Sequence, residues 1–220
     1  MKNIVVLGSS GHAKVIVEVI RKSNEYNIVG YIDNLRKVGE SSLNLQVIGS
    51  ESDLPTLISK HSLYGCFVAI GDNFTRKKVV DNIGKIAPSL KFVTAIHPNA
   101  IISDSVSIGQ GSVVMAGAII NTSVDIGEFC IINTNSSIDH DCSLSDFVSI
   151  APNVTLGGSC MIGQLSAIGI GTNLIHGVRI GENCVIGAGS LVLKAVEDNV
   201  VSYGIPAKGI RLRHVGEKYL

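Results

Sequence analysis

From His97 to Val192 the chain can be cut into sixteen successive hexads, and the sixth residue of every one is a branched aliphatic. The column begins Ile102, Ile108, Val114 and ends Ile180, Ile186, Val192, without a single insertion. The fourth residue of each hexad is always Ala, Ser, Cys, Thr or Val, and Gly favours the first. Six residues suffice for one short strand and one turn. One aliphatic side chain per unit then points inward, with a small one beside it where space is tight. No such unit is stable alone, so stacking must supply the core. Three hexads per coil predict a three-sided solenoid of about five coils, rising roughly 4.8 Å per layer.

Residues 1–96 have a different texture. Asn3–Leu7 reads as a buried strand, and Gly8-Ser9-Ser10-Gly11 as a turn into a helix over His12–Lys22. Further strands are predicted at Ile28–Ile32, Cys66–Ile70 and Lys91–Ile96. Helices are expected after a Ser52 or Asp53 cap and from about Thr75 to Ile86. Strands alternating with helices imply a small parallel, Rossmann-like α/β sheet. Two domains follow: an α/β domain over 1–96 and a β-solenoid domain over 97–220.

Composition narrows the function classes. Lys+Arg and Asp+Glu both number 18 in 220 residues, so there is no basic excess for nucleic acid or a membrane surface. No apolar run approaches the ~18 residues of a membrane span. The N-terminus lacks the plan of a signal peptide, so a cytoplasmic location is the expectation. Five cysteines without a CxxC pair argue against a disulfide framework or a zinc finger. Four of them, Cys130, Cys142, Cys160 and Cys184, fall on the inward fourth position and read as small core residues. A covalent intermediate on any of these thiols is therefore not expected.

Four segments carry a family resemblance: Gly8-Ser9-Ser10-Gly11-His12-Ala13-Lys14, Tyr31-Ile32-Asp33-Asn34, His140-Asp141-Cys142 and Tyr203-Gly204-Ile205-Pro206-Ala207-Lys208. With the hexads, they make the chain resemble the hexapeptide-repeat sugar acetyltransferases. The branch is that of sialic-acid O-acetyltransferase and the bacillosamine- and perosamine-type nucleotide-sugar N-acetyltransferases. The resemblance covers essentially the whole chain. It implies a left-handed parallel β-helix, a homotrimer, acetyl-CoA as cosubstrate without a metal, and a nucleotide-sugar acceptor.

Within that frame His140 is the expected catalytic base. It takes the second, outward position of its hexad, and imidazole suits proton abstraction near neutrality. Asp141 would orient the ring and stabilise its charged form. Gly158, eighteen residues and one coil on, would offer a bare N–H to the thioester oxygen. The family commonly carries a second histidine nine residues after the first; here Ser149 stands there, a departure, and its hydroxyl is the candidate hydrogen-bond donor to the acetyl group in its place. Asn133 is a candidate substrate contact, and Lys208 a candidate for a CoA phosphate. For the nucleotide sugar the resemblance points to Gly8, Ser9, Ser10, Gly11 and His12, whose loop opens a helix. Asp33, Asn34, Gly71 and Asp72 join them at the ends of the second and third strands, where open α/β sheets bind ligands. His97 reads as structural, and His176 and His214 have no evident partners.

The expected activity is N-acetylation of a nucleotide-linked amino sugar, taken as a 4-amino-4,6-dideoxyhexose, for surface glycan synthesis. Three alternatives stay open at this point. One is O-acetylation of sialic acid or a related sugar, since the motifs do not separate amine from hydroxyl. Another is a non-catalytic trimeric scaffold. The third is a γ-type carbonic anhydrase, which needs three zinc-binding histidines and whose His-x4-His spacing is missing.

Overall fold

The computed structural model describes residues 1–219, which group into two units. Residues 1–71 and 75–97 form the first. Residues 72–74, together with the chain from Pro98 onward, form the second.

In the first unit, the apolar run at the N-terminus becomes the central strand β1 (Lys2–Leu7), buried along Ile4–Leu7. It pairs in parallel with β2 (Tyr26–Ile32) on one side and β5 (Gly65–Val68) on the other. Between them lie α1 (Gly11–Ser23), the hairpin of β3 (Ser41–Ser42) and β4 (Leu45–Gly49), and α2 (Leu54–His61). The helix α3 (Asn73–Ile86) and the short β6 (Lys91–Phe92) follow, giving the strand order β3-β4-β2-β1-β5-β6. Helix α1 lays Ala13, Ile16, Val17, Val19 and Ile20 into the core at helical spacing, as an amphipathic helix must.

Several sequence-based expectations need correction here. The hairpin was not anticipated, and its β3–β4 pairing makes the edge of the sheet antiparallel. The span Lys91–Ile96 is not one strand but two of two residues, Lys91–Phe92 and Ala95–Ile96. Asp53 does stand at the N-cap of α2, but without a side-chain bond to that helix; its carboxylate instead closes a capping box with Ser50 around the preceding 3-10 turn.

The second unit is a left-handed parallel β-helix. Each hexad gives a two-residue strand that ends on its aliphatic sixth residue. Each strand pairs with the strand eighteen residues on, as in Ile120↔Ile138, Leu144↔Ile162 and Ile150↔Ile168. Three faces result. One runs from Val113–Val114 to Val185–Ile186, the next from Ile101–Ile102 to Leu191–Val192, and the third from Ser107–Ile108 to Arg179–Ile180. The predicted columns of Ile and Leu form the core, and Cys130, Cys142, Cys160 and Cys184 are buried among them. Full burial of such a side chain is worth about 1.5–3 kcal/mol, so the columns hold the coils together.

The third residue of most turns takes a left-handed conformation whether or not it is Gly, as at Phe129, Asp141, Phe147 and Leu165. Phe129 and Phe147 stack at 5.0 Å between centroids, an attraction that opposes the local cost of that backbone. A hairpin of Val200–Gly204 with Ala207–Leu212 extends the first face at the last coil.

Candidate active site

The turn between the second and third faces carries the outward histidine. Asp139, His140 and Asp141 follow the strand Ser137–Ile138, and Asp141 takes the left-handed position at φ 58°. Asp tolerates that conformation better than most residues. From there its carboxylate lies beside the ring, with Oδ2 2.7 Å from His140 Nδ1. Asp139 Oδ1 accepts the His140 backbone N–H at 2.8 Å and the Asn121 side-chain amide at 2.9 Å. The His140 ring is 45% exposed. Its pKa is raised, first by the bond to Asp141, against the opposing effect of desolvation, and further by the charges of Asp139 and Asp141. Asp139 is lowered, chiefly by its bonds from Asn121 and from the His140 backbone, so it stays ionised.

Gly158 lies one coil above. A Cβ built there would stand 2.6 Å from both Cε1 and Nε2 of His140, so the imidazole occupies the space a side chain would need. Gly158 is buried, and its carbonyl accepts the Gly177 N–H at 2.9 Å. Its own N–H has no hydrogen-bond partner among the described residues. Nε2 of His140 thus lies against the bare backbone of Gly158.

The same turn column holds a residue that the sequence reading left without a role. His176, two coils above His140, brings its ring centroid to 6.1 Å from that of His140. The signal was available: 140, 158 and 176 are eighteen apart, so all three take one position on successive coils.

Ser149 and Asn133 are placed elsewhere. Ser149 sits on the first face, in a ladder with Ile131 and Ala167. Its hydroxyl donates to Asn73 Oδ1, which also accepts from Tyr219, while the Asn73 amide caps the Leu165 and Ser166 carbonyls. Asn133 begins the turn between the first and second faces, where its Oδ1 accepts the Thr134 N–H. Within one chain neither residue shares the His140 turn. Lys208 is exposed on the terminal hairpin, opposite Tyr203.

In the first unit, Gly8 follows β1 at φ 91°, a backbone that L side chains rarely adopt. The loop is fixed by Gly8 N–H to Ile32 O and by the Ser9 hydroxyl on Asp33 Oδ2. Burial alone would raise the Asp33 carboxyl. The bonds it accepts from Ser9, Leu35 and Arg36 outweigh that and hold it below the usual range. Ser10 is the N-cap residue of α1, with no side-chain bond to the helix, and Gly11 opens the helix. His12, in its first turn, is pushed down to about 4 by burial and then by the charge of Arg76. Its Nε2 is buried without a partner. Arg76 is itself buried and donates to the carbonyls of Ile70 and Gly71. The loops after β1, β2 and β5 are therefore neighbours at the strand C-termini, where such sheets take ligands. Asn34 is used structurally, since its amide exchanges two bonds with Glu51. Asp72 falls in the short segment that groups with the solenoid.

An imidazole–carboxylate pair under a free backbone N–H, on a three-sided solenoid of hexads, defines the class: a hexapeptide-repeat acyltransferase. Residues 3–83 match the PglD N-terminal domain, and residues 159–194 match the bacterial transferase hexapeptide of six repeats. The GDP-perosamine N-acetyltransferase of Caulobacter crescentus, solved as a histidine-to-alanine mutant with CoA and GDP-perosamine, superposes with a TM-score of 0.90. It is 35% identical, over 96% of this chain and 98% of that one. The acetyltransferase domain of PglB from Neisseria gonorrhoeae FA1090, in complex with acetyl coenzyme A, gives 0.86. It is 32% identical, over 95% and 99% of the two chains. UDP-N-acetylbacillosamine N-acetyltransferase of Bacillus subtilis (strain 168) is 35% identical over 118 residues, 53% of this chain. That alignment spans about half, 52%, of the curated enzyme. The chain belongs to the bacillosamine- and perosamine-type family of hexapeptide-repeat sugar acetyltransferases.

Proposed function

We propose that this enzyme transfers the acetyl group of acetyl-CoA to the amine of a nucleotide-linked amino sugar, expected to be a 4-amino-4,6-dideoxyhexose. The observation that carries this reading is the His140–Asp141 pair beneath the free N–H of Gly158. The acceptor class is supported by the relatives, a GDP-perosamine N-acetyltransferase and a UDP-N-acetylbacillosamine N-acetyltransferase.

With Nδ1 committed to Asp141, Nε2 of His140 is the nitrogen left to accept a proton. It takes that proton from the sugar amine as the nitrogen attacks the thioester carbon. Asp141 stabilises the imidazolium that forms. Gly158 N–H meets the carbonyl oxygen as charge grows on it. Cys142 and Cys160 lie in the same turns, but their thiols point inward and donate to the Gly157 and Ile175 carbonyls. Transfer is direct.

In this reading the loop Gly8–His12 and the ionised Asp33 hold the nucleotide, the backbone amides at the start of α1 facing phosphate. Gly71 and Asp72 border the acceptor. Lys208 meets a CoA phosphate from the terminal hairpin. The working form is a homotrimer with CoA in a groove between subunits. Asn133 and Ser149, remote from His140 within one chain, would act there across the subunit boundary. No helix among the described residues is long and apolar enough to cross a membrane, and we place the reaction in the cytoplasm.

The test is a panel of UDP-, GDP- and dTDP-linked amino sugars with acetyl-CoA, sialic acid included. Turnover of at least one nucleotide amino sugar, and none of sialic acid, is expected. The reverse pattern would replace this reading with O-acetylation.

A further inference from the structure

His140, Gly158 and His176 occupy one position on three successive coils. Positions two coils apart are about 9.6 Å apart along a ladder of parallel strands. The two ring centroids are only 6.1 Å apart, tilted by 46°. The rings therefore lean towards each other across Gly158, which has no side chain to separate them. His176 is exposed, and no hydrogen bond holds its ring nitrogens among the described residues. At that separation one ligand seated along the column can touch both rings.

The order along the column matches the order of atoms in the reaction. Nitrogen, carbonyl and sulfur lie in sequence across the reacting centre. In the acetyl-transfer reading His140 serves the nitrogen and Gly158 N–H the carbonyl oxygen. The next group along the axis is His176. We propose, building on the acetyl-transfer reading, that His176 is a further catalytic residue whose ring N–H donates a hydrogen bond to the departing sulfur of CoA. The C–N bond forms as the amine proton passes to His140 Nε2. The C–S bond breaks and its electron pair stays on sulfur, where the His176 N–H stabilises it. CoA leaves as a thiolate that solvent protonates, and His140 returns its proton to solvent. Neither histidine changes its net protonation over a turnover.

Two substitutions separate this donor role from ring packing. His176→Phe keeps a ring and removes the donor; His176→Gln keeps an N–H and removes the ring. The account expects His176→Phe to lose about 10²-fold in kcat, with the KM for the amino sugar little changed. His176→Gln should retain activity to within about tenfold of wild type. A phenylalanine variant with normal kcat overturns the proposal.

A binding measurement gives a second, independent readout. At about pH 10, where even an ordinary alkyl thiol is substantially ionised, wild type should bind CoA about tenfold more tightly than desulfo-CoA by calorimetry. His176→Phe should bind the two alike. Equal binding of both by wild type overturns the sulfur contact. If wild type acetylates no amine at all, the acetyl-transfer reading fails, and the preference for CoA over desulfo-CoA decides the contact by itself.

Discussion

Replacing His140 with Ala is expected to lower acetyl transfer by at least about 10³-fold while leaving the solenoid folded. The ring lies on the outside of the coil, and among the described residues its only side-chain bond is to Asp141, so its loss removes no core contact. Circular dichroism should match wild type while the rate of CoA release collapses. The pH profile carries the same argument. His140 must be neutral to accept a proton, and its pKa is raised, chiefly by Asp141. Activity should therefore be lost as pH falls through a midpoint above the ordinary histidine value of ~6.5. Asp141→Asn removes the carboxylate, so that midpoint should move to lower pH while the maximal rate falls. A midpoint that stays in place would separate Asp141 from the base.

Gly158→Ala should cost about 10²–10³-fold in kcat, the range for losing one oxyanion donor. The added methyl would stand 2.6 Å from two atoms of the His140 ring. A half-exposed ring can swing away, so the fold should survive with a nearly unchanged Tm. The swing separates Nε2 from Asp141's alignment, and the methyl crowds the backbone N–H. The substitution thus disturbs base and donor at once. Normal kcat in a folded Gly158→Ala would remove the donor from the mechanism and leave the glycine as a packing feature of the turn.

The solenoid was legible because its rule is local and periodic. One inward aliphatic per six residues and a small residue at the fourth position suffice to place Ile138, Cys142 and Leu144, and the structure places them so. The hand was not legible from the period, since most parallel crossovers turn the other way; the resemblance supplied it. His140, Asp141 and Gly158 could be found because eighteen residues make one coil. The same arithmetic applied twice would have found His176, which was instead read as solitary. Ser149 shows the opposite limit. Its partner Asn73 lies 76 residues away, and no periodicity connects a helix start to a solenoid face. The hairpin Ser41–Gly49 escaped for a different reason: Ser41–Ser42 is a two-residue strand made by pairing, without the hydrophobic alternation that marks longer strands. Asn34 carried a family motif, yet its amide is spent on Glu51, which only side-chain geometry reveals.

The central claim is that this protein makes an amide from acetyl-CoA and a sugar amine. It is tested most directly by incubating wild-type enzyme with acetyl-CoA and an accepted nucleotide amino sugar, then examining the product by mass spectrometry and NMR. The account predicts one acetyl group per CoA thiol released, carried on the sugar nitrogen and stable to mild base. An acetyl group found on a hydroxyl, with the amine left free, would contradict it.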